Sequence, residues 1–231
     1  MFAEKNDMQM DDFKLGRPAL VCRWRLFARS LPIENRHLRA LGNRRVKDAP
    51  VSPQLVAWAK QHIEWTLYEG ALRCPDGVLM VVVDDEGRAA MTVGPYEPLA
   101  VTTVSALAER ALGAAREASR TGVAPETLWV VRDERLVWGG DPEWRPSGAT
   151  SLVADLARTL GLPVSCEGDL VAAVMDGSTS YDEAFLVSDE HGVVPASNAP
   201  GPKSSRLGEG WCRLLESVRR PGRGGPGMRG V

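Results

Sequence analysis

Apolar and polar residues follow regular patterns in the first part of the chain. In residues 19–27 (ALVCRWRLF) every second side chain is apolar, which is typical of a strand with one buried face. Ser52-Pro53 forms a typical helix start, and apolar residues follow it at helical spacing. The continuous apolar run 77–83 predicts a buried strand, with a turn and a hairpin partner over 89–93. These elements predict a small α+β lobe over residues 17–94.

The pattern is interrupted by two prolines in residues 94–98, and we place the boundary between two lobes there. Beyond it, helical and strand-like patterns alternate. The predicted elements are helices over 104–119, 147–160 and 206–219 and hairpins over 127–138 and 183–195. They predict a larger α/β lobe over 99–219, and hence an α/β (α+β) fold for the chain. The polar start (1–16) and the Gly/Pro/Arg-rich end (220–231) cannot form a core, so we expect both to be disordered.

The composition of the chain limits the kinds of partner that it is expected to bind. The 231 residues are 44% hydrophobic and 25% charged with a net charge of −2, which gives no electrostatic reason to expect a nucleic acid or an anionic membrane. No apolar run approaches the roughly 18 residues that span a bilayer. The polar, acidic N-terminus lacks the features of a secretory signal, so we expect a cytoplasmic protein. The four cysteines and three histidines are scattered, without the spacing of a metal site.

A series of short motifs lies in the second predicted lobe, over SGATSLVADLARTLGLPVSCEGDL and YDEAFLVSDEHGVVPA (within 147–196). This segment resembles the class IV aminotransferases, the fold-type-IV pyridoxal phosphate enzymes that include branched-chain and D-amino-acid aminotransferases and aminodeoxychorismate lyase. In that family a glycine-led phosphate turn opens a helix, and the residues that resemble it here are 148–150. The family's "GIPV" strand is similar to 161–164, and its "DEVFLT…VVPV" hairpin to 182–195.

Two upstream segments continue the resemblance in the same order. RHLRAL (36–41) is similar to the family's "H-x-x-R-L" element, and GVLMVVVDDEGR (77–88) to the hairpin of its small domain. The resemblance covers about four-fifths of the chain. It implies two lobes with a ligand pocket between them and a homodimer, the usual state of the family's members.

The sequence departs from the family at three places that its chemistry requires. The lysine that holds the cofactor as an imine is replaced by Ser105, and no lysine occurs between Lys60 and Lys203. The phosphate-binding arginine is replaced by Ala40, with Arg39 beside it as a partial substitute. The glutamate that pairs with the pyridine nitrogen has no match. We therefore expect no cofactor, with pyridoxal phosphate as the alternative.

Five residues are candidates for binding an anion or a substrate. Gly148, Ala149 and Thr150 open a helix, whose free N–H groups and dipole favour a negative charge; the alternative is an ordinary capped helix start. Arg39 is added because it adjoins the lost arginine, and Ser188 because it opens the turn of the last hairpin.

Three further residues are candidates for catalysis. His37 is functional if it faces the interlobe cleft, and otherwise it is structural. His191 lies in a hairpin turn, where Asp189 and Glu190 could hold it as a general acid or base; the alternative is an exposed turn histidine. Ser105 occupies the position of the family's lysine.

These observations favour a divergent class IV aminotransferase-like protein. It would bind a small amino- or keto-acid-like molecule in the interlobe cleft, without a pyridoxal phosphate imine, and act on it by acid/base chemistry if it is an enzyme. Two alternatives stay open: a genuine pyridoxal phosphate aminotransferase or lyase, and a catalytically silent scaffold that binds a partner.

Overall fold

The computed structural model describes residues 14–218 of the chain. The helices within this range are α1 (Glu34–Gly42), α2 (Pro53–Gly70), α3 (Val104–Thr121), α4 (Gly148–Thr159), α5 (Leu170–Met175) and α6 (Pro202–Val218). The strands are β1 (Pro18–Arg25), β2 (Arg45–Val46), β3 (Ala49–Pro50), β4 (Val78–Asp84), β5 (Ala89–Gly94), β6 (Glu126–Arg132), β7 (Arg135–Gly139), β8 (Val164–Glu167), β9 (Glu183–Ser188) and β10 (Gly192–Pro195). This mixture of helices and sheets confirms the predicted α/β fold.

The first sheet is antiparallel, with strand order β1-β4-β5. The alternation in β1 has the predicted effect, because Leu20, Cys22 and Trp24 are buried while Val21 and Arg23 face outward. The buried side chains join those of β4, α1 and α2 in one apolar core. One face of β1 is thus left free for polar contacts.

The second sheet has strand order β10-β9-β6-β7-β8, and only its β7–β8 pair is parallel. Its central strand β6 is buried on both faces. Leu128 and Val130 pack with α3 and α5, and Trp129 and Val131 pack with α4 and α6. This two-sided burial explains why β6 reads as a continuous apolar run instead of an alternating one.

Polar contacts join the two sheets and their helices. The Arg25 N–H donates to the backbone oxygen of Asp189 at 3.1 Å, which ties β1 to the end of β9. The buried guanidinium of Arg44, just after α1, donates to Glu117 Oε1 on α3 at 2.8 Å. Helix α1 also packs against α4. The end of β9 and helix α3 therefore lie close to the first sheet.

The structure differs from the sequence prediction in three details. Helix α5 and the small β2–β3 hairpin were not predicted. Helix α6 begins at Pro202, four residues before the predicted start, because the Glu183 carboxylate accepts from the N–H groups of Lys203 and Ser204. The predicted disordered ends lie, apart from residues 14–16, outside the described residues. The predicted lobe boundary lies in the segment between β5 and α3, which contains no helix or strand. That the two lobes divide there remains a prediction.

Candidate functional site

A cleft of about 240 Å³ lies between β1 and α3 and is closed at one end by the ends of β6 and β9. The outward face of β1 forms one wall, because Val21 and Arg23 alternate with the core residues of that strand. The residues that line the cleft are Val21, Arg23, Arg110, Ala114, Glu117, Pro125, Glu126, Ser188, Asp189 and Glu190. The lining residues therefore include four that carry carboxylates and two that carry guanidinium groups.

Two ion pairs organise the cleft. Arg23 donates to both carboxylate oxygens of Glu190, at 2.7 Å from Nη2 to Oε1. Burial works to raise the pKa of Glu190, but the hydrogen bonds from Arg23 and the neighbouring positive charges, those of Arg23 and Arg110 among them, outweigh it and hold this pKa below its usual value. On the opposite wall, Arg110 donates to Glu126 Oε1 at 2.8 Å, and the Ser188 hydroxyl donates to the same oxygen at 3.0 Å. The ion pairs are thus fixed in place from both walls.

His191 lies beside the second ion pair. Its side chain is 4% exposed, so the alternative of an exposed turn histidine is wrong. Arg110 Nη2 donates to Nε2 at 3.3 Å, and Nδ1 lies 3.4 Å from the hydroxyl oxygen of Tyr96. Burial lowers the pKa of His191. Since Arg110 can only donate, these contacts assign a neutral ring with its proton on Nδ1.

The sequence suggested that the carboxylates of Asp189 and Glu190 hold the ring of His191, and this prediction is wrong. Glu190 turns to Arg23, and Asp189 turns to the N-terminus of α4. The carboxylate that faces the ring nitrogens is that of Glu126, whose Oε1 lies 4.0 Å from His191 Nε2. The turn after β9 thus sends three successive side chains in three directions.

The predicted anion-binding turn at the start of α4 is buried, and the N–H groups of Ala149 and Thr150 have partners within the chain. The Ala149 N–H donates to Asp189 Oδ1 at 2.7 Å, and the Thr150 N–H donates to the Ser147 hydroxyl at 3.2 Å. The Thr150 hydroxyl lies 3.1 Å from that of Thr127 on β6. An external anion would have to displace the Asp189 carboxylate to reach this turn.

His37 lies behind Asp189 and is not among the residues that line the cleft. Its ring stacks on Trp24, with 5.1 Å between the ring centroids, and it is almost fully buried. Nδ1 lies 3.8 Å from Asp189 Oδ1 and has no hydrogen-bond partner among the described residues. Burial lowers the pKa of His37, and the charge of Asp189 opposes this effect.

Two of the predicted site residues lie elsewhere. Ser105 is exposed on the first turn of α3, with its hydroxyl 3.2 Å from that of the capping residue Thr103. Arg39 lines a separate groove with Arg36 and Arg158. Neither is among the residues that line the cleft. Ser188 does line it, and His191 contacts the lining residue Arg110, so the structure brings these two together and leaves Ser105 and Arg39 apart.

Arg23, Arg110 and Glu126 were not among the site residues predicted from the sequence. The alternation of β1 contains a signal for Arg23, since an arginine on the outward face of a half-buried strand must be solvated or paired. Arg110 and Glu126 are 16 residues apart and carry no comparable signal, because only the packing of α3 on β6 brings them together.

Pyridoxal phosphate, the group that the resemblance implies, requires a lysine for the imine and donors for the phosphate. Among residues 14–218, no lysine lines the cleft: Lys60 is exposed on α2, Lys47 pairs with Asp85 at 3.2 Å, and Lys203 pairs with Glu134 at 2.8 Å. The helix turn that would serve the phosphate holds a carboxylate instead. The side chains present therefore do not fit this cofactor as an imine.

Within the described part of the chain, no helix is long and apolar enough to cross a membrane. Over the same residues, no three histidine, cysteine, aspartate or glutamate side chains lie together in a way that could hold a metal ion.

Comparison with known proteins addresses the fold. No protein-family model and no curated protein matches the sequence. Solved structures do match. One is a hypothetical aminotransferase from Mycobacterium tuberculosis in its PLP-bound form, with a TM-score of 0.56 and 14% identity over 91% of this chain and 95% of that chain. Another is 4-amino-4-deoxychorismate lyase from Pseudomonas aeruginosa, with a TM-score of 0.51 and 15% identity over 83% and 88% of the two chains.

A third match is a hypothetical aminotransferase from Mycobacterium tuberculosis with alpha-ketoglutarate and PMP bound, with a TM-score of 0.52 and 15% identity over 86% of this chain and 88% of that chain. At such identities the similarity establishes the fold, while the activity has to be argued from the site. The chain has the fold of the class IV aminotransferases, as the sequence resemblance implied.

Proposed function

We propose that this protein binds a small amino- or keto-acid-like molecule in the cleft between β1 and α3, without holding pyridoxal phosphate as an imine. The observation that carries the proposal is the set of paired charges in a cleft of about 240 Å³, which suits a small polar molecule. Arg23 and Arg110 provide guanidinium groups for a carboxylate, and Glu126 and Glu190 provide carboxylates for an ammonium group. Both charges of an amino acid thus have complementary groups.

The balance of charge favours an amino acid over the corresponding keto acid. The lining contains two arginines, against Glu117, Glu126, Asp189 and Glu190, and the Arg44 guanidinium that binds Glu117 leaves an excess of one negative charge. An amino acid brings a positive charge to this acidic excess, whereas a keto acid brings only a negative one. We expect each amino acid that binds to do so more tightly than its 2-keto acid.

His191 does not itself line the cleft, but it contacts the lining residue Arg110 and is the nearby group best suited to move a proton. Its neutral ring has the Nε2 lone pair directed at Arg110, at the edge of the cleft. A neutral imidazole with a lowered pKa accepts a proton without first having to lose one. If the protein is an enzyme, a substrate carboxylate would draw Arg110 away from Nε2, and the freed Nε2 of His191 would then accept the substrate proton as the general base.

The experiment is a thermal-shift and calorimetric screen of amino acids paired with their 2-keto acids. We expect at least one amino acid to bind saturably to the protein, and Arg110→Gln to weaken that binding at least tenfold. The matched control is Arg158→Gln, which removes an arginine that pairs with Asp155 on the exposed side of α4. Its binding should equal that of the unmodified protein. The proposal is wrong if no compound binds, or if the two variants affect binding equally.

A second experiment addresses the cofactor. Incubation with pyridoxal phosphate followed by borohydride reduction should give only scattered, substoichiometric labelling, because imine formation needs a lysine held inside the pocket. A stoichiometric adduct on one lysine, abolished by Lys203→Ala or Lys60→Ala, would contradict this expectation. It would favour a pyridoxal phosphate aminotransferase or lyase instead.

A scaffold that binds a protein is the second candidate, because α2 exposes a row of large apolar side chains. Trp65 and Tyr68 are 77% and 76% exposed, and Leu72 continues the row just beyond the end of the helix. Apolar patches of this kind mark protein contacts. We propose a homodimer as the contact. The scaffold would be favoured if no compound binds the cleft and the protein forms a homodimer through α2.

A further inference from the structure

Helix α4 begins directly beneath the cleft, and a carboxylate from another part of the chain is bound to its first turn. Asp189 is 3% exposed, and its Oδ1 accepts from the Ala149 N–H at 2.7 Å. The first N–H groups of a helix have no partner within the helix, and the dipole places partial positive charge there. The turn therefore has the chemistry of an oxyanion site, and Asp189 supplies the anion.

A second donor is directed at the same carboxylate. His37 Nδ1 is buried, has no hydrogen-bond partner among the described residues and lies 3.8 Å from Asp189 Oδ1. The ring also abuts the helix turn, because a Cβ atom added to Gly148 would lie 2.5 Å from Nδ1. Buried polar atoms are nearly always paired, so a nitrogen left without a partner at this place is unusual. It suits a slightly larger anion than the carboxylate now present, one that could reach both Ala149 and His37.

The start of α6 provides an internal comparison. There too a buried carboxylate, that of Glu183, accepts from the first N–H groups of a helix. The Glu183 carboxyl group lies directly against Gly201, where an added Cβ atom would overlap it, and no unpaired buried donor of the described residues faces it. Both helices thus begin at a buried carboxylate. Of the two, only the start of α4 has an unpaired donor beside it and adjoins the cleft.

We propose that the N-terminus of α4 is an oxyanion site whose resident ligand is the Asp189 side chain, and that this internal ligand closes the cleft to phosphate-bearing molecules. A ligand attached to the chain is present at high effective concentration and cannot diffuse away. A phosphate that approached the turn would also meet the negative charge of Asp189 before reaching the amides. The inference goes beyond the proposed function, because it names a class of ligand that the cleft excludes whatever it binds.

The test replaces Asp189 and uses inorganic phosphate as the probe. In Asp189→Ala and in Asp189→Ser, whose shorter polar side chain leaves room for an anion, the Ala149 N–H and His37 become available. We expect phosphate to raise the Tm of both variants saturably, by about 3–6 °C at a concentration tenfold above Kd. Formate, which restores the missing carboxylate, should act in the same way. The unmodified protein should show only the gradual, non-saturating rise that phosphate causes in any protein.

Two control variants separate this effect from the loss of a charge or of a helix cap. Asp155→Ala removes an exposed carboxylate from α4, and Glu183→Ala removes the matched cap of α6. Neither should gain saturable phosphate binding. Gain of binding by either control, saturable binding by the unmodified protein, or no binding by the folded Asp189 variants would each overturn the proposal. Should Asp189→Ala not fold, Asp189→Ser decides the question.

The outcome is independent of the screen for amino acids. A cleft that binds none of those compounds can still gain phosphate binding when Asp189 is removed, and that result would refute the proposed function alone. Conversely, an amino acid that binds the unmodified protein, together with Asp189 variants that are indifferent to phosphate, would refute this inference alone.

Discussion

Replacing His37 by glutamine removes the buried imidazole that lies against Asp189 and the start of α4. Because burial lowers the pKa of His37 below the value of 6.5 for a free histidine, the folded protein binds this proton less readily than the unfolded chain does. As pH falls below about 6.5, the unfolded chain gains a proton that the folded protein does not take up, and the free energy of unfolding decreases. The charge of Asp189 opposes this shift in pKa but does not reverse its direction.

The magnitude follows from the proton balance. Between pH 7.5 and 5.5 an unfolded histidine gains most of one proton, which lowers the free energy of unfolding by at most about 1.4 kcal/mol. In His37→Gln this contribution is absent. The variant is less stable overall, because the stacking on Trp24 is altered, but that loss is the same at both pH values.

Urea unfolding at pH 7.5 and 5.5 measures the difference. The unmodified protein should lose up to about 1.4 kcal/mol more than His37→Gln over this interval, while contributions from His191 and the carboxylates cancel. His62→Gln, which removes an exposed histidine from α2, should behave like the unmodified protein. An equal pH dependence in the unmodified protein and His37→Gln would refute the assignment of His37 as a buried neutral histidine.

Two further predictions concern packing and assembly. Gly148→Ala should destabilise the protein by about 1–3 kcal/mol in urea unfolding, because its Cβ atom would lie 2.5 Å from the His37 ring. Gly113→Ala, in the open interior of α3, should instead stabilise the protein by about 0.5–1 kcal/mol. Equal effects of the two changes would show that the first turn of α4 can shift to make room for the methyl group. Light scattering should report roughly 50 kDa, twice the chain mass of 25.1 kDa, and the combined changes Trp65→Ser and Tyr68→Ser should halve it. A monomer at micromolar concentration, or an intact dimer in the double variant, would contradict the proposed interface.

The local elements could be predicted from the sequence because their signals lie within a few residues. Ser52 and Ser147 cap α2 and α4 through their hydroxyl groups, as the sequence suggested. Gly161 adopts the left-handed conformation expected after α4, with φ of 73°. Each of these features depends on the side chain and backbone of one short segment.

The site could be predicted only in part, because its contacts join distant segments. The cap of α4 includes Asp189, which is 40 residues from Ala149, and the pair across the cleft joins Arg23 to Glu190, 167 residues apart. The early start of α6 has the same cause, because the carboxylate that accepts from its first N–H groups belongs to Glu183 on β9. The family resemblance pointed to the turn at the start of α4, and packing alone decided what occupies it.

The buried contact between Arg44 and Glu117 has a consequence for how the molecule unfolds. It joins the segment after α1, which belongs with the first sheet, to α3, which covers the second. If the second half opened alone, the guanidinium enclosed in the first would lose the carboxylate that it donates to, which costs at most roughly 3–5 kcal/mol. Opening of the second half by itself is therefore penalised. In native-state hydrogen exchange, the slowest amides of β4 and β6 should exchange together, through one global event.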